Sequence, residues 1–365
     1  MQTCERAKTL FVGVDVHKDT HTAVGISPFG EKLFELTIGN YPKDFSRLIE
    51  KVDKEANKNN LSARIGLEDC HGFGQNLADH LNKKGYTVSH VSAILVDHKR
   101  KKNTHPEKND SLDAQGVAEV MIQKIDKLPT HKITQEGQIA KDIRELSVER
   151  EYLVKEQTRL KNQLHVLLHR IWNTKYREKF KDSFSVKALK YWKRSVPKNI
   201  SHFLEKTMKR KVNKLEALRK EIKEITNDLE LLIEESGHTI STANGCGIVI
   251  ASMIIGETGD ISRFKSPGAL AKYAGCAPRE HSSGKTRRHR KTKSGNRRLN
   301  CAFHSLALAQ IGRMGNEKAK TYFKRKVSEG KSKSQALVCL RRQLVNVVWV
   351  MMKHKTKYNL QKKLT

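Results

Sequence analysis

The sequence lacks any long apolar run: its longest, Leu344 to Met352, is interrupted by Asn346 and falls far short of a membrane span. Residues 1–6 lack the apolar stretch of a signal peptide, and no basic helix carries the aromatic-rich apolar face of a membrane-surface binder. A cytoplasmic chain with no membrane partner is the expectation. Paired cysteines are also missing. Cys4, Cys70, Cys246, Cys276, Cys301 and Cys339 are scattered without a CxxC pair, which indicates neither a zinc site nor a disulfide framework and leaves reduced thiols.

Acidic residues are scarce relative to basic ones, 39 Asp and Glu against 71 Lys and Arg, for a net charge of +32. That excess is larger than solubility requires and points to a polyanion, with nucleic acid as the default partner. A hydrophobic content of 37% over 365 residues is enough for two or three domains with their own cores.

Three regions follow from the patterning. In the first, 1–135, the buried-strand run Leu10 to Val16 is followed by strands at Thr22 to Ile26 and Lys32 to Ile38, the latter after a turn at Pro28 to Gly30. Phe45, Leu48, Ile49 and Val52 mark a helix; then come a strand at Ala63 to Glu68, a helix with Leu77 and Leu81, a strand at Tyr86 to Val91 and a helix at Asp110 to Lys124. Three strands followed by alternating helices and strands is the order of an RNase H-like α/β domain.

The second region, 136–236, repeats leucine every seven residues at Leu146, Leu153, Leu160 and Leu167. Its second half steps by three and four through Leu215, Leu218, Ile222, Ile225, Leu229 and Leu232. This predicts two long helices, as a coiled-coil hairpin or dimerisation stalk or as ordinary bundle helices. The third region, 237–365, is all-α. It opens on Gly245-Cys246-Gly247 before a helix at Ile248 to Gly256, a spacing that can aim backbone N–H groups at a DNA phosphate as a helix-hairpin-helix does. A helix at Pro267 to Ala274 precedes an exposed basic segment, Pro278 to Arg298, in which nine residues are Lys or Arg.

Asp15 stands within an otherwise apolar strand, where an ionised carboxylate is costly unless a cation pairs with it. Glu68 ends the fourth strand, a neighbour of the first in an RNase H-like sheet. Asp110 and Asp113, three apart, share a helix face. Four such carboxylates repel one another unless divalent cations lie between them, and oxygen ligands favour Mg²⁺ or Mn²⁺. The bland reading makes Asp110 an N-cap, Asp113 a complement to the helix dipole and Glu68 a surface residue. In the basic segment, a serine among cations is a nucleophile for a phosphodiester, or else the segment is a loop that grips phosphate backbone.

Together, Val12 to Lys18, Glu68, Lys108 to Ala114, Gly259 to Phe264, Tyr273 to Pro278 and His281 to Lys285 resemble the DEDD transposases of bacterial insertion sequences. These join a RuvC-like N-terminal domain to a C-terminal serine domain. The resemblance implies Asp15, Glu68, Asp110 and Asp113 as metal ligands and Ser283, with Ser282 beside it, as the nucleophile. It also implies double-stranded donor and target DNA as substrates, a structured guide (bridge) RNA, a homo-oligomer (dimer or tetramer) and a prokaryotic, nucleoid-associated setting. Arg279, Lys285, Arg287, Arg288, Arg290, Lys293 and Arg297 are expected to bind nucleic acid. The family's Lys-Arg-Gly turn after the serine appears here as Lys293 to Leu299, which departs from it. A RuvC-like junction nuclease that uses water and a non-catalytic nucleic-acid scaffold are the rival readings.

Overall fold

The computed structural model describes residues 3–358 except 71, 102–108, 198–199, 284–285, 291–294 and 314; for 3–4, 279–283 and 286–290 it describes the backbone alone. The chain divides into two compact units, Met1–Thr134 and Gln135–Thr365.

After a short helix α1 (Thr3–Arg6), the first unit is built on strands β1 (Thr9–Val16), β2 (Thr20–Ile26) and β3 (Lys32–Gly39), helix α2 (Pro42–Lys58) and strand β4 (Ser62–Leu67). Helix α3 (Gln75–Lys83), strand β5 (Val88–His90), helices α4 (Ala93–Arg100) and α5 (Asp110–Lys124) and strand β6 (Thr130–His131) complete it. The sheet order is β3-β2-β1-β4-β5-β6. β1, β4 and β5 run parallel, whereas β2, β3 and β6 are antiparallel to their neighbours.

β1 is buried along almost its whole length because helices cover both of its faces. Leu10, Val12 and Val14 pack with Phe45, Leu48 and Val52 of α2 and with Leu77 and Leu81 of α3. Phe11 packs with Val117, Ala118 and Met121 of α5. Alternation along the strand therefore puts Gly13 and Asp15 on the α5 face. Gly13 is required there: a Cβ would lie 2.1 Å from the Ala114 carbonyl oxygen and 2.5 Å from the Ala118 nitrogen, so its hydrogen lets α5 sit directly on the sheet.

The mixed α/β order matches the expected RNase H-like arrangement, including the β1–β4 neighbourhood. The structure adds α4 and β6, which the sequence pattern did not predict, and β5 is shorter than the Tyr86 to Val91 run. α4 was missed because its single buried residue, Val96, gives no helical apolar period.

The second unit begins with helix α6 (Gln135–Trp172), followed by α7 (Tyr176–Lys179), α8 (Val186–Arg194) and the long helix α9 (His202–Glu235). Contacts Arg150–Thr226, Glu156–Lys214 and Gln163–Lys211 run in opposite directions along the two sequences, so α6 and α9 pack antiparallel. At one end, Leu160, Leu164, Leu215 and Leu218 close on Tyr176, Phe184 and Trp192. At the other, Ile143, Ile225 and Leu229 share a core with Ile254, Phe303 and Leu340 of the remaining helices.

Those helices are α10 (Ile248–Thr258), α11 (Pro267–Tyr273), α12 (Arg297–Ile311), α13 (Glu317–Ser328) and α14 (Lys333–His354). Between α11 and α12 the basic segment, read from sequence as an exposed loop, holds an antiparallel hairpin, β7 (Arg279–Ser283) and β8 (Thr286–Arg290). Its density of charge hides the apolar alternation that marks most strands. Among the described residues, no helix is long and apolar enough to cross a membrane.

Candidate metal centre and serine hairpin

Asp15 is buried near the C-terminal end of β1. β1 and β4 pair in parallel with a constant offset, up to Val14 opposite Leu67, so one step further sets Asp15 beside Glu68. Gly66, two residues before Glu68, faces Met121 of α5, which puts Glu68 on the same face as Asp15. Asp110 and Asp113 arrive there on the first turn of α5. The ends of adjacent parallel strands, capped by a helix start, are a common place for polar sites in α/β sheets.

The electrostatics agree. Burial pushes the Asp15 carboxyl above its ordinary range, an effect opposed by His17 and reinforced by Asp113 and Asp110. Glu68 is pushed up to about 7, chiefly by burial and then by the charges of Asp15 and Asp113. Burial combined with neighbouring like charge makes ionisation costly here, a cost that a bound cation would relieve.

Asp110 is not the N-cap that the bland reading made it. Asn109 takes that role, its side-chain oxygen accepting a hydrogen bond of 2.7 Å from the Leu112 N–H, and Asp110 is exposed at the first helical position. Its carboxylate points toward His17, whose Nε2 lies 3.4 Å away and only 3.1 Å from Asp15 Oδ2. Asp15, His17 and Asp110 each offer one ligand atom, all within 4.8 Å of one another. This donor set fits a divalent cation: two carboxylates supply charge and hard oxygen, and the imidazole is compatible with Mn²⁺. Asp113 is buried and held by Arg100, whose Nη1 donates to its two oxygens at 3.0 and 3.3 Å. Arg100 also donates to Asp97 at 2.7 Å.

His17 and Arg100 were not assigned roles from the sequence. The signal for His17 was its place two residues after Asp15, on the same face of an extended chain. Nothing local marked Arg100, because its ion-pair partner Asp113 lies 13 positions away in sequence, on a different helix.

The second unit carries the hairpin. Ser283 is the last residue of β7 and pairs with Thr286; Ser282 pairs with Arg287, His281 with Arg288 and Arg279 with Arg290. By the period-two alternation of a pleated ribbon, positions 279, 281, 283, 286, 288 and 290 share one face, and 280, 282, 287 and 289 the other. Lys285 and Lys293 lie outside the described residues. Arg297 is exposed in the first turn of α12, behind the Asn296 N-cap. The Gly245-to-Gly247 turn leads into α10 with Gly247 as its N-cap.

Two family models match the chain: a transposase model of the DEDD type of IS110 over residues 12–173, and the model described as "Transposase IS116/IS110/IS902 family" over residues 237–324. The chain is 25% identical to the insertion element IS116 uncharacterized 44.8 kDa protein of Streptomyces clavuligerus, covering 96% of each chain. It is 32% identical to the insertion element IS110 uncharacterized 43.6 kDa protein of Streptomyces coelicolor over 33% of this chain and 29% of that one. It is also 24% identical to the transposase for insertion sequence element IS1328 of Yersinia enterocolitica, over 60% and 62%.

Proposed function

The chain belongs to the DEDD-type transposases of the IS110 family, and from that premise we propose that it cuts and rejoins DNA using the carboxylates of its first unit and Ser283 of its second. The observation that carries this reading is the convergence of Asp15, Glu68, Asp110 and Asp113 on the α5 face of the sheet, with the pKa values of Asp15 and Glu68 raised by burial and by mutual repulsion.

Asp15, Glu68 and Asp110, with His17, would hold Mg²⁺ or Mn²⁺. Bound there, the cation would neutralise charge on a phosphodiester undergoing exchange. The chain's own residues do the rest. Arg100 keeps Asp113 oriented. The Ser283 hydroxyl loses its proton, its oxygen bonds to the scissile phosphorus, and the bond from phosphorus to one DNA oxygen breaks, releasing that end as a hydroxyl. A hydroxyl from the exchanged strand then attacks the phosphoserine, restoring a phosphodiester and freeing the serine, so no ATP is consumed.

Ser283 is preferred over Ser282 because the alternation puts it on the face with Arg279, Arg288 and Arg290, where cations offset the charge developing on phosphorus. Arg287, Lys285, Lys293 and Arg297 would grip the phosphate backbone. The net charge of +32 also supports a structured guide RNA as a second polyanion. The test is exchange between two DNA duplexes with co-purified RNA and Mg²⁺: Asp15→Asn and Ser283→Ala should each abolish it, and retention by either variant removes that residue from the mechanism.

A further inference from the structure

A charged cluster in the second unit lies at the base of the serine hairpin. Glu257, near the end of α10, has a side chain only 5% exposed. Its Oε1 accepts from Arg298 Nη1 at 2.5 Å and lies 3.4 Å from Arg144 Nε, and its Oε2 accepts from Asn296 Nδ2 at 2.6 Å. Arg298 continues into α6, donating to Ser147 Oγ and to Glu151, each at 3.1 Å.

Asn296 and Asn300, a turn apart at the start of α12, also hold the other end of the hairpin. The Asn296 N–H donates to the Tyr273 carbonyl at 2.7 Å, and Asn300 Nδ2 donates to the carbonyls of Ala274 and Gly275, each at 3.0 Å. Gly295, at φ +108°, makes this approach possible, since a Cβ there would lie 2.7 Å from the Gly275 nitrogen. The segments entering β7 and leaving β8 are thus stapled together, and the staple is tied through Glu257 to α10 and α6.

Burying a carboxylate and a guanidinium adds little net stability over an apolar pair of the same shape, while removing one partner strands the other. What the pair does supply is directional donors that fix one geometry. We propose that Glu257 is a positioning residue for the serine hairpin: it sets the pose of β7–β8 by holding Asn296 and Arg298 against α6 and α10. This rests on the reading of Ser283 as the nucleophile, because the pose matters for catalysis only if the hairpin carries the attacking group.

The test compares wild-type protein with Glu257→Gln, which keeps the shape and an acceptor for Asn296 but removes the charge. Amide hydrogen exchange over residues 273–300 should speed up by about tenfold or more while α13 exchanges as in wild type. Covalent DNA adduct formation in a single turnover should slow by on the order of 10- to 100-fold, as expected for a misplaced reacting group. Unchanged exchange over 273–300 in a folded variant overturns the proposal, whatever the activity. If Glu257→Gln does not fold, the neutral pair Glu257→Gln with Arg298→Gln takes its place under the same criterion. Ser283→Ala, run in parallel, separates the two claims: persistence of adduct there refutes the serine reading and leaves the exchange result to judge Glu257.

Discussion

The imidazole Nε2 of His17 lies 3.1 Å from the Asp15 carboxylate and 3.4 Å from that of Asp110, bridging a strand end and a helix start. With a proton on Nε2 the ring can donate to either carboxylate, and with a lone pair there it can instead join both carboxylates in holding a cation. His17→Ala should weaken Mn²⁺ binding by on the order of tenfold and Mg²⁺ binding less, because imidazole suits the softer ion. Calorimetric titration with each ion checks this; equal losses for both would make His17 a carboxylate partner only.

Asp15→Asn removes a buried charge whose ionisation burial and neighbouring acids oppose. The metal-free variant should melt no lower than wild type at pH 8, while the melting-temperature rise caused by Mn²⁺ disappears. A variant still stabilised by Mn²⁺ would take Asp15 out of the ligand set.

Glu68 makes the site pH-sensitive. Its native pKa of about 7 lies above the ordinary 4.5, so between those values the native state holds a proton that the unfolded chain has released. Metal-free stability is therefore highest below pH 4.5 with respect to this group and falls as pH rises through 7; the raised Asp15 has the same sign. A cation must displace that proton. The melting-temperature shift from Mg²⁺ or Mn²⁺ should be small at pH 5 and large at pH 8, and a flat profile would count against Glu68 as a ligand.

Gly13→Ala tests the platform on which the acids stand. The added Cβ meets backbone atoms of Ala114 and Ala118, which cannot yield as a flexible side chain would, so α5 must move. A loss of about 1–3 kcal/mol in denaturant unfolding is expected, together with a weaker Mn²⁺ response because Asp110 and Asp113 ride on α5. Wild-type stability would contradict the close packing.

Much of the first unit was legible in the sequence because burial leaves simple periods. The apolar run of β1, interrupted by Asp15, gave both a central strand and a suspicious carboxylate. The α5 acids were legible too, and of the two readings open for Asp110 the N-cap falls away: Asn109, one residue earlier, takes the cap and leaves Asp110 free for His17. The hairpin of Ser283 was hidden because strands made of Arg, His, Ser and Thr carry no apolar alternation. The Glu257 cluster was invisible for a different reason. Its partners at Arg144, Asn296 and Arg298 meet only through tertiary packing of α6, α10 and α12, and no local spacing records that.

The central claim is that a serine and a carboxylate cluster together exchange DNA strands. Its most direct measurement is denaturing electrophoresis of labelled DNA incubated with the protein, co-purified RNA and Mn²⁺. A covalent protein–DNA adduct should form with wild type, be absent with Ser283→Ala, and fall by at least about 100-fold with Asp15→Asn. Strand exchange by Ser283→Ala, or cleavage by wild type that never passes through an adduct, would contradict the account and favour hydrolysis by water.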